Sequence, residues 1–265
     1  EPLRGEEVNM PASVAAAPPA PDPLSALPRD ADGFRLRGTQ ASRLETFVDA
    51  AFAFAVTLLV VSFDAMPASV PELHEALRRA PAFLAGFAVL AMFWASHHRF
   101  SRRTGLHDGR VTLLGLTLIA VALLYVYPLR LIMGIALHFL TGGWAPSPMP
   151  IGFEAGEFRS LYVIYGLGFA AMCSVIALLN RHALRRADAL GLDAVEQCLL
   201  RQDAGAMLWL MVPTGASILL ALLPMPPATL WQGLPGIIYC TLAVLMPWYG
   251  VRSARELARV RAAHS

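Results

Sequence analysis

An all-α, polytopic membrane protein with six transmembrane helices follows from three features of this sequence. Apolar residues fill 56% of its 265 positions and charged residues only 15%, where a soluble domain carries about 25% charged residues. The charges gather in short clusters, and between them lie apolar runs near the roughly 20 residues that a helix needs to cross a bilayer. Arginine is abundant in every second gap between the runs and scarce in the others. A mean hydropathy of +0.54 fits the same class.

Taken in order, the spans are 47–63, interrupted by Asp49; 80–96; 111–129, with a possible continuation past Pro128 to Leu140; and 161–179. From 204 to 251 no residue is charged, and these 48 residues suffice for two more. Prolines 224, 226 and 227 cannot continue a helix and split the stretch into 204–223 and 229–251. Residues 1–40, rich in Pro, Ala, Asp and Arg and without an apolar core, read as a disordered cytoplasmic tail. Residues 41–251 then form the transmembrane domain and 252–265 a short cytoplasmic tail that extends the sixth helix. The 141–158 loop, rich in Gly, Pro and Trp, reads as irregular.

Orientation rests on arginine alone, because the chain has no lysine. The N-terminal tail, the 99–110 and 181–201 loops and the C-terminus hold seventeen arginines; the alternate loops hold three. Dropping or adding one span destroys that alternation. Both termini are therefore expected in the cytoplasm. Abundant Arg, Ala and Pro without Lys resembles a GC-rich bacterial coding sequence, which places the protein in a bacterial inner membrane; Met10 is a candidate for the natural start. A net charge of +2 is too small to suggest nucleic acid. Cys173, Cys198 and Cys240 match no metal or redox spacing and read as packing residues.

The first span carries the chemistry. Asp49 lies about one and a half turns past Arg43, inside the membrane near its cytoplasmic face. A carboxylate there costs several kcal/mol unless it is paired or hydrated. The second span ends Trp94-Ala-Ser-His97-His98-Arg99, which brings an indole N–H and an imidazole to the same depth. Arg43, Asp49, Trp94 and His97 are thus expected to form one polar cluster between the first two helices. Its bland reading is a structural clasp that satisfies Asp49 and has no part in transport.

Arg43, then Phe47-Val48-Asp49, then Phe52-Ala-Phe54-Ala-Val-Thr57-Leu-Leu-Val60, together with Trp94-x-x-His97, resembles the transmembrane protein 175 family of potassium channels. The two signatures cover about 60 residues, and the six-span topology extends the likeness along the chain. The resemblance implies a homotetramer in the lipid bilayer with the first helix of each subunit lining a central pore. It maps the pore face onto Phe54, Thr57 and Val61, and an Arg–Asp–His network onto Arg43, Asp49 and His97. Spacings of three and four place Phe54, Thr57 and Val61 on one helical stripe; spacing alone favours packing against neighbouring helices, and it is the resemblance that turns the reading to pore lining. Four Thr57 hydroxyls or their carbonyls could replace part of a cation's hydration shell. The departures are Val48 at a family serine, Phe54 at a usual Ile or Leu, and Tyr125-Val-Tyr127-Pro128 where many members have a Pro-Phe-Pro-Thr-like end.

Two rival classes use other residues. A bis-histidine haem protein would need paired ligands at two depths of its helices. Here His97, His98 and His182 lie near one face and His74 and His138 beside outer loops, with no span carrying both. A secondary transporter would favour broken midplane helices, for which Pro213 and Pro235 are candidates, but no intramembrane charge accompanies them. No phosphate-binding glycine loop, metal-spaced Cys/His set or nucleophile elbow is present. The resemblance implies a potassium-permeable channel rather than an enzyme, with no cofactor besides the permeant ion; the alternatives are a secondary transporter of a small solute or ion and a non-conducting membrane protein.

Overall fold

The computed structural model describes residues 23–61, 68–148, 155–223 and 229–264. These residues are almost entirely helical. Helix α1, Arg43–Val61, starts where the Ser42 hydroxyl accepts from the Glu45 N–H. Helix α2, Val70–Thr104, is capped by Ser69 and stopped by Gly105, whose left-handed φ of 59° ends the helix without strain. Helix α3, Gly109–Leu140, is capped by Asp108 and passes through Pro128 without a break. Helix α4 is Ala155–Arg185, and the single turn α5, Ala187–Leu190, ends at Gly191. A reciprocal capping box of Asp193 and Glu196 opens α6, Ala194–Leu222. The last span is composite: α7, Thr229–Ile237, a 3-10 turn, Ile238–Thr241, then α8, Leu242–His264.

Among the described residues, five helices are long and apolar enough to cross a membrane: α2, α3, α4, α6 and the composite last one. Helix α1 is the sixth apolar helix, shorter at 19 residues, with Arg43, Glu45 and Asp49 in its first two turns. Several helices run beyond the spans expected from sequence. Helix α2 starts at Val70 rather than 80 because Ser69 caps it and Pro71 suits its first turn. Over the 141–158 loop, the described part is a turn with Gly142 and Gly143 at positive φ, and α4 already begins at Ala155. The Pro224–Pro227 break lies outside the described residues.

Helices α3 and α4 form the middle of the bundle, with α1 and α2 packed on one side and α6 with the last span on the other. More than half of the apolar stretch of α4 is buried within the subunit, but almost none of the last span's. One end of the bundle gathers the arginine-rich segments, as the alternation required.

At that end the N-terminal segment departs from the disordered tail expected over 1–40. Residues 1–22 lie outside the described residues, but 28–38 form a strap folded over the helix ends. Phe34 is fully buried, with the guanidinium of Arg103 5.1 Å above its ring and that of Arg37 at 5.6 Å. Arg103 is itself only 2% exposed and meets Asp30 (2.8 Å), Asp32 (2.6 Å) and Asp203 (2.8 Å). Arg35 and Arg37 both grip Glu196, each through a 2.8 Å contact to Oε2. The Gly38 N–H donates to the Arg102 carbonyl, and a Cβ at Gly38 would stand 2.5 Å from the Ser101 oxygen, so only glycine fits there. The strap folds because its charges find opposite charges seventy to 160 residues away, which composition cannot reveal.

Burial alone would raise the Glu196 carboxyl, but the hydrogen bonds from Arg35 and Arg37 outweigh it and bring the group from 4.5 to about 2. A depressed carboxyl stabilises the fold above its unfolded value and loses that contribution as pH falls from about 4.5 toward 2. The contribution is on the order of 3 kcal/mol. Thermal melts of detergent-purified protein between pH 7 and pH 3 should show it, and Glu196→Gln should both lower the midpoint at pH 7 and flatten its acid dependence.

Candidate functional site

The buried face of α1 is formed by Val48, Phe52, Ala55 and Leu59. Leu59 fits against Gly86 of α2, and Leu44, one turn before Val48, against Gly115 of α3. The opposite face has no partner among the described residues: Phe47, Ala50, Ala53, Phe54, Thr57 and Val60 are all exposed, Phe47 and Phe54 each to 55%. Phe54 and Thr57 therefore share the unpacked face. The Thr57 hydroxyl donates to the Ala53 carbonyl at 3.0 Å, which holds it against its own helix and leaves its lone pairs directed outward. Val61 ends α1, and its side chain lies outside the described residues.

Of the four residues expected in one polar cluster, two meet directly. The Trp94 indole N–H donates to the Asp49 carboxylate at 2.8 Å. His97 is buried beside Glu45, Asp49 and His98, but its Nδ1 has no hydrogen-bond partner. Arg43 is exposed and forms no hydrogen bond or ion pair with Asp49 among the described residues. Helix geometry explains this: six residues apart, the two side chains leave α1 roughly 120° from one another.

Glu45 and His98 were missed by the sequence reading. Glu45 is buried, and its Oε1 lies 3.2 Å from His98 Nδ1. The His98 ring stacks on Trp94, centroids 5.5 Å apart. Four-residue steps on two antiparallel helices explain the pairing: Glu45 and Asp49 rise on one face of α1, opposite His98 and Trp94 on one face of α2. The result is a two-rung ladder at the arginine-rich end of α1. That i, i+4 match was available in the sequence, whereas the Trp-x-x-His signature drew attention to His97.

The ladder joins α1 to α2 by one hydrogen bond, Trp94 to Asp49, and by a close approach of Glu45 to His98 in which His98 Nδ1 completes no hydrogen bond. Asp49→Ala, which leaves the indole N–H unpaired, should cost about 1–3 kcal/mol. A double-mutant cycle of Asp49→Asn with Trp94→Phe, read as detergent thermostability, should give a coupling of comparable size; additivity would mean that the bond contributes nothing.

With this geometry in place, three comparisons with known proteins bear on identity. The family model described as endosomal/lysosomal potassium channel TMEM175 matches residues 43–126, the stretch from the start of α1 into α3. A potassium channel of Marivirga tractuosa is 33% identical over 168 residues, 62% of this chain and 67% of that one. A crystal structure of a variant of the potassium channel MtTMEM175, bound to a nanobody–MBP fusion, has a TM-score of 0.71 at 27% identity and covers 84% of this chain and 97% of its own. Both helices of the ladder and the unpacked face of α1 lie within the matched region, and the chain belongs to the TMEM175 family of potassium channels.

Proposed function

We propose that four copies of this chain form a potassium-permeable cation channel whose pore is lined by α1. The observation that carries this reading is the face of α1 on which Ala50, Ala53, Phe54 and Thr57 stand exposed at membrane depth while the opposite face packs into the bundle. An apolar helix face with a hydroxyl in the middle suits a narrow axial path better than lipid contact. Four Thr57 hydroxyls make a polar ring that exchanges with a cation's hydration shell, and Phe54 and Val61 make apolar constrictions that open or close by wetting. The ladder of Glu45–His98 and Asp49–Trp94 anchors the near end of each pore helix so that the four faces keep one radius. The family is one of channels, which leaves no enzymatic reaction to assign, and conduction calls for no cofactor beyond the permeant ion.

The arginine-rich end, with both termini and the strap, faces the cytoplasm in this reading, and residues 41–251 form the membrane domain. Impermeant thiol labelling in intact cells checks the orientation on a background without native cysteines. Trp144→Cys should react and Asp188→Cys should not; the reverse pattern overturns it.

Planar-bilayer recording under a potassium/sodium gradient checks the pore. Thr57→Val should reduce the preference for potassium while the tetramer persists. Phe54→Ala should raise conductance. If the wild-type protein and Phe54→Ala both carry no cation current as intact tetramers, the channel assignment fails.

A further inference from the structure

The end of the bundle opposite the arginine-rich one holds a cavity of about 240 Å³ between α1, α2, α3 and the turn that follows α3. Arg79 of α2 and Arg130 of α3 line it together, both half-buried, and Leu59, Phe83 and Leu131 form apolar walls. The two arginines stand at matched depth on antiparallel helices. Arg79 lies nine residues after Val70, where α2 begins, and Arg130 ten residues before Leu140, where α3 ends. Each is therefore about 14–15 Å inside its helix end. In the sequence they border the apolar runs 80–96 and 111–129, which puts both guanidinium groups at the edge of the hydrocarbon core, beside the polar headgroup layer.

The segment 145–148 roofs the cavity and is fixed there. Ala145 is buried, its N–H donates to the Thr141 hydroxyl at 3.0 Å, and its carbonyl lies 2.7 Å from His138 Nδ1. Pro148 rests on α3 at Gly134, where a Cβ would fall 2.7 Å from the proline ring. Beside the roof, Arg78 donates to the Trp144 carbonyl and lies 5.7 Å over its ring; an exposed tryptophan suits the interfacial layer. The other arginines at this end have different tasks, since Arg78 also meets Glu75 at 3.0 Å and Arg159 donates to the Leu223 carbonyl. Among the described residues no carboxylate lines the cavity. Two like charges on one concave, partly apolar surface set up a positive potential that an anion relieves. Arg79 and Arg130 also interact within the protein, and the five-donor fork of a guanidinium can serve a protein partner and an anion at once.

We propose that this cavity binds the phosphate of an anionic phospholipid between Arg79 and Arg130. Phosphate suits a pair of guanidinium forks, because each fork gives two parallel N–H bonds to its oxygens. Size limits what enters. Pockets for whole drug-sized molecules run to roughly 300–1,000 Å³, so about 240 Å³ takes the phosphate and the adjoining glycerol but not the acyl chains. The chains have a path outside. Phe83 and Phe87, one turn apart with centroids separated by 6.2 Å, continue the apolar wall along α2 toward the middle of the membrane, and Leu84 and Phe87 are exposed there. A free phosphate ion shares the headgroup chemistry but gains nothing from that wall. A lipid in this place bridges α2 and α3 and, through Leu59, braces the end of α1 remote from the Glu45–His98 and Asp49–Trp94 ladder.

Thermal melts of the full-length protein in neutral detergent test the site, with phosphatidylglycerol, phosphatidylcholine or inorganic phosphate added at constant ionic strength. Phosphatidylglycerol should raise the midpoint by about 2–4 °C, phosphatidylcholine by less, and inorganic phosphate not at all. The paired variant Arg79→Gln with Arg130→Gln should lose the phosphatidylglycerol increment, whereas Arg159→Gln, at the same end, should keep it. Ala82→Phe fills the cavity and leaves both charges in place, so it should lose the increment too, and it decides the matter if the arginine variants do not fold. An equal rise with inorganic phosphate makes this a site for soluble anions and overturns the lipid. No rise with phosphatidylglycerol, a rise kept by the paired variant or by Ala82→Phe, or a rise lost in Arg159→Gln overturns the site itself. Conduction does not enter these readouts, so the result is independent of the pore assignment.

Discussion

A guanidinium keeps its charge when it is removed from water, so its burial is tolerated only where acceptors such as carboxylates compensate it, and Arg103 dictates much of the arrangement at its end of the bundle. Its three N–H directions require Asp30, Asp32 and Asp203 at once, so α2, α6 and the strap must converge on one point. Glu196 imposes the complementary demand, because its two oxygens need Arg35 and Arg37. Between the two charge centres Phe34 has the guanidinium groups of both Arg37 and Arg103 over its ring. Both centres hold the strap, and the Arg103–Asp203 pair also ties α2 directly to α6. The strap is thus part of the fold rather than an appendage to it.

Helix α1 meets two different requirements with one 19-residue segment. Its inner face is large and apolar, so it stays in place against α2 and α3. Its outer face alternates small residues with Phe and Thr, a pattern that gives little packing but permits close approach of like helices. Charged groups would stabilise neither face, which is why Glu45 and Asp49 are confined to the end and are held there by His98 and Trp94.

Much of this was legible in the sequence, because span length and arginine alternation are properties of composition along the chain. The depth match of Asp49 with Trp94 was legible too, since both positions follow from counting residues inward from the charged ends. The strap was not. Its sequence has the composition of a disordered segment, and its order comes from ion pairs with Arg103 and Glu196 far along the chain. The lone Phe34 among Asp30, Asp32, Arg35 and Arg37 was the available hint, as an aromatic residue in a solvated tail would have no reason to alternate with charges. Arg43 was misassigned because sequence nearness was read as contact, whereas helical phase sets it apart from Asp49.

The strap also carries information about the order of synthesis. Arg35 emerges 161 residues ahead of Glu196, Asp30 precedes Arg103 by 73, and the Asp32 carbonyl waits 229 residues for Arg261. The first described segment of the chain is therefore among the last to find its place, after the fifth helix has entered the membrane. A chain halted before α6 has no Glu196 to receive the strap, so Arg35 and Arg37 then lack the carboxylate they share in the folded subunit.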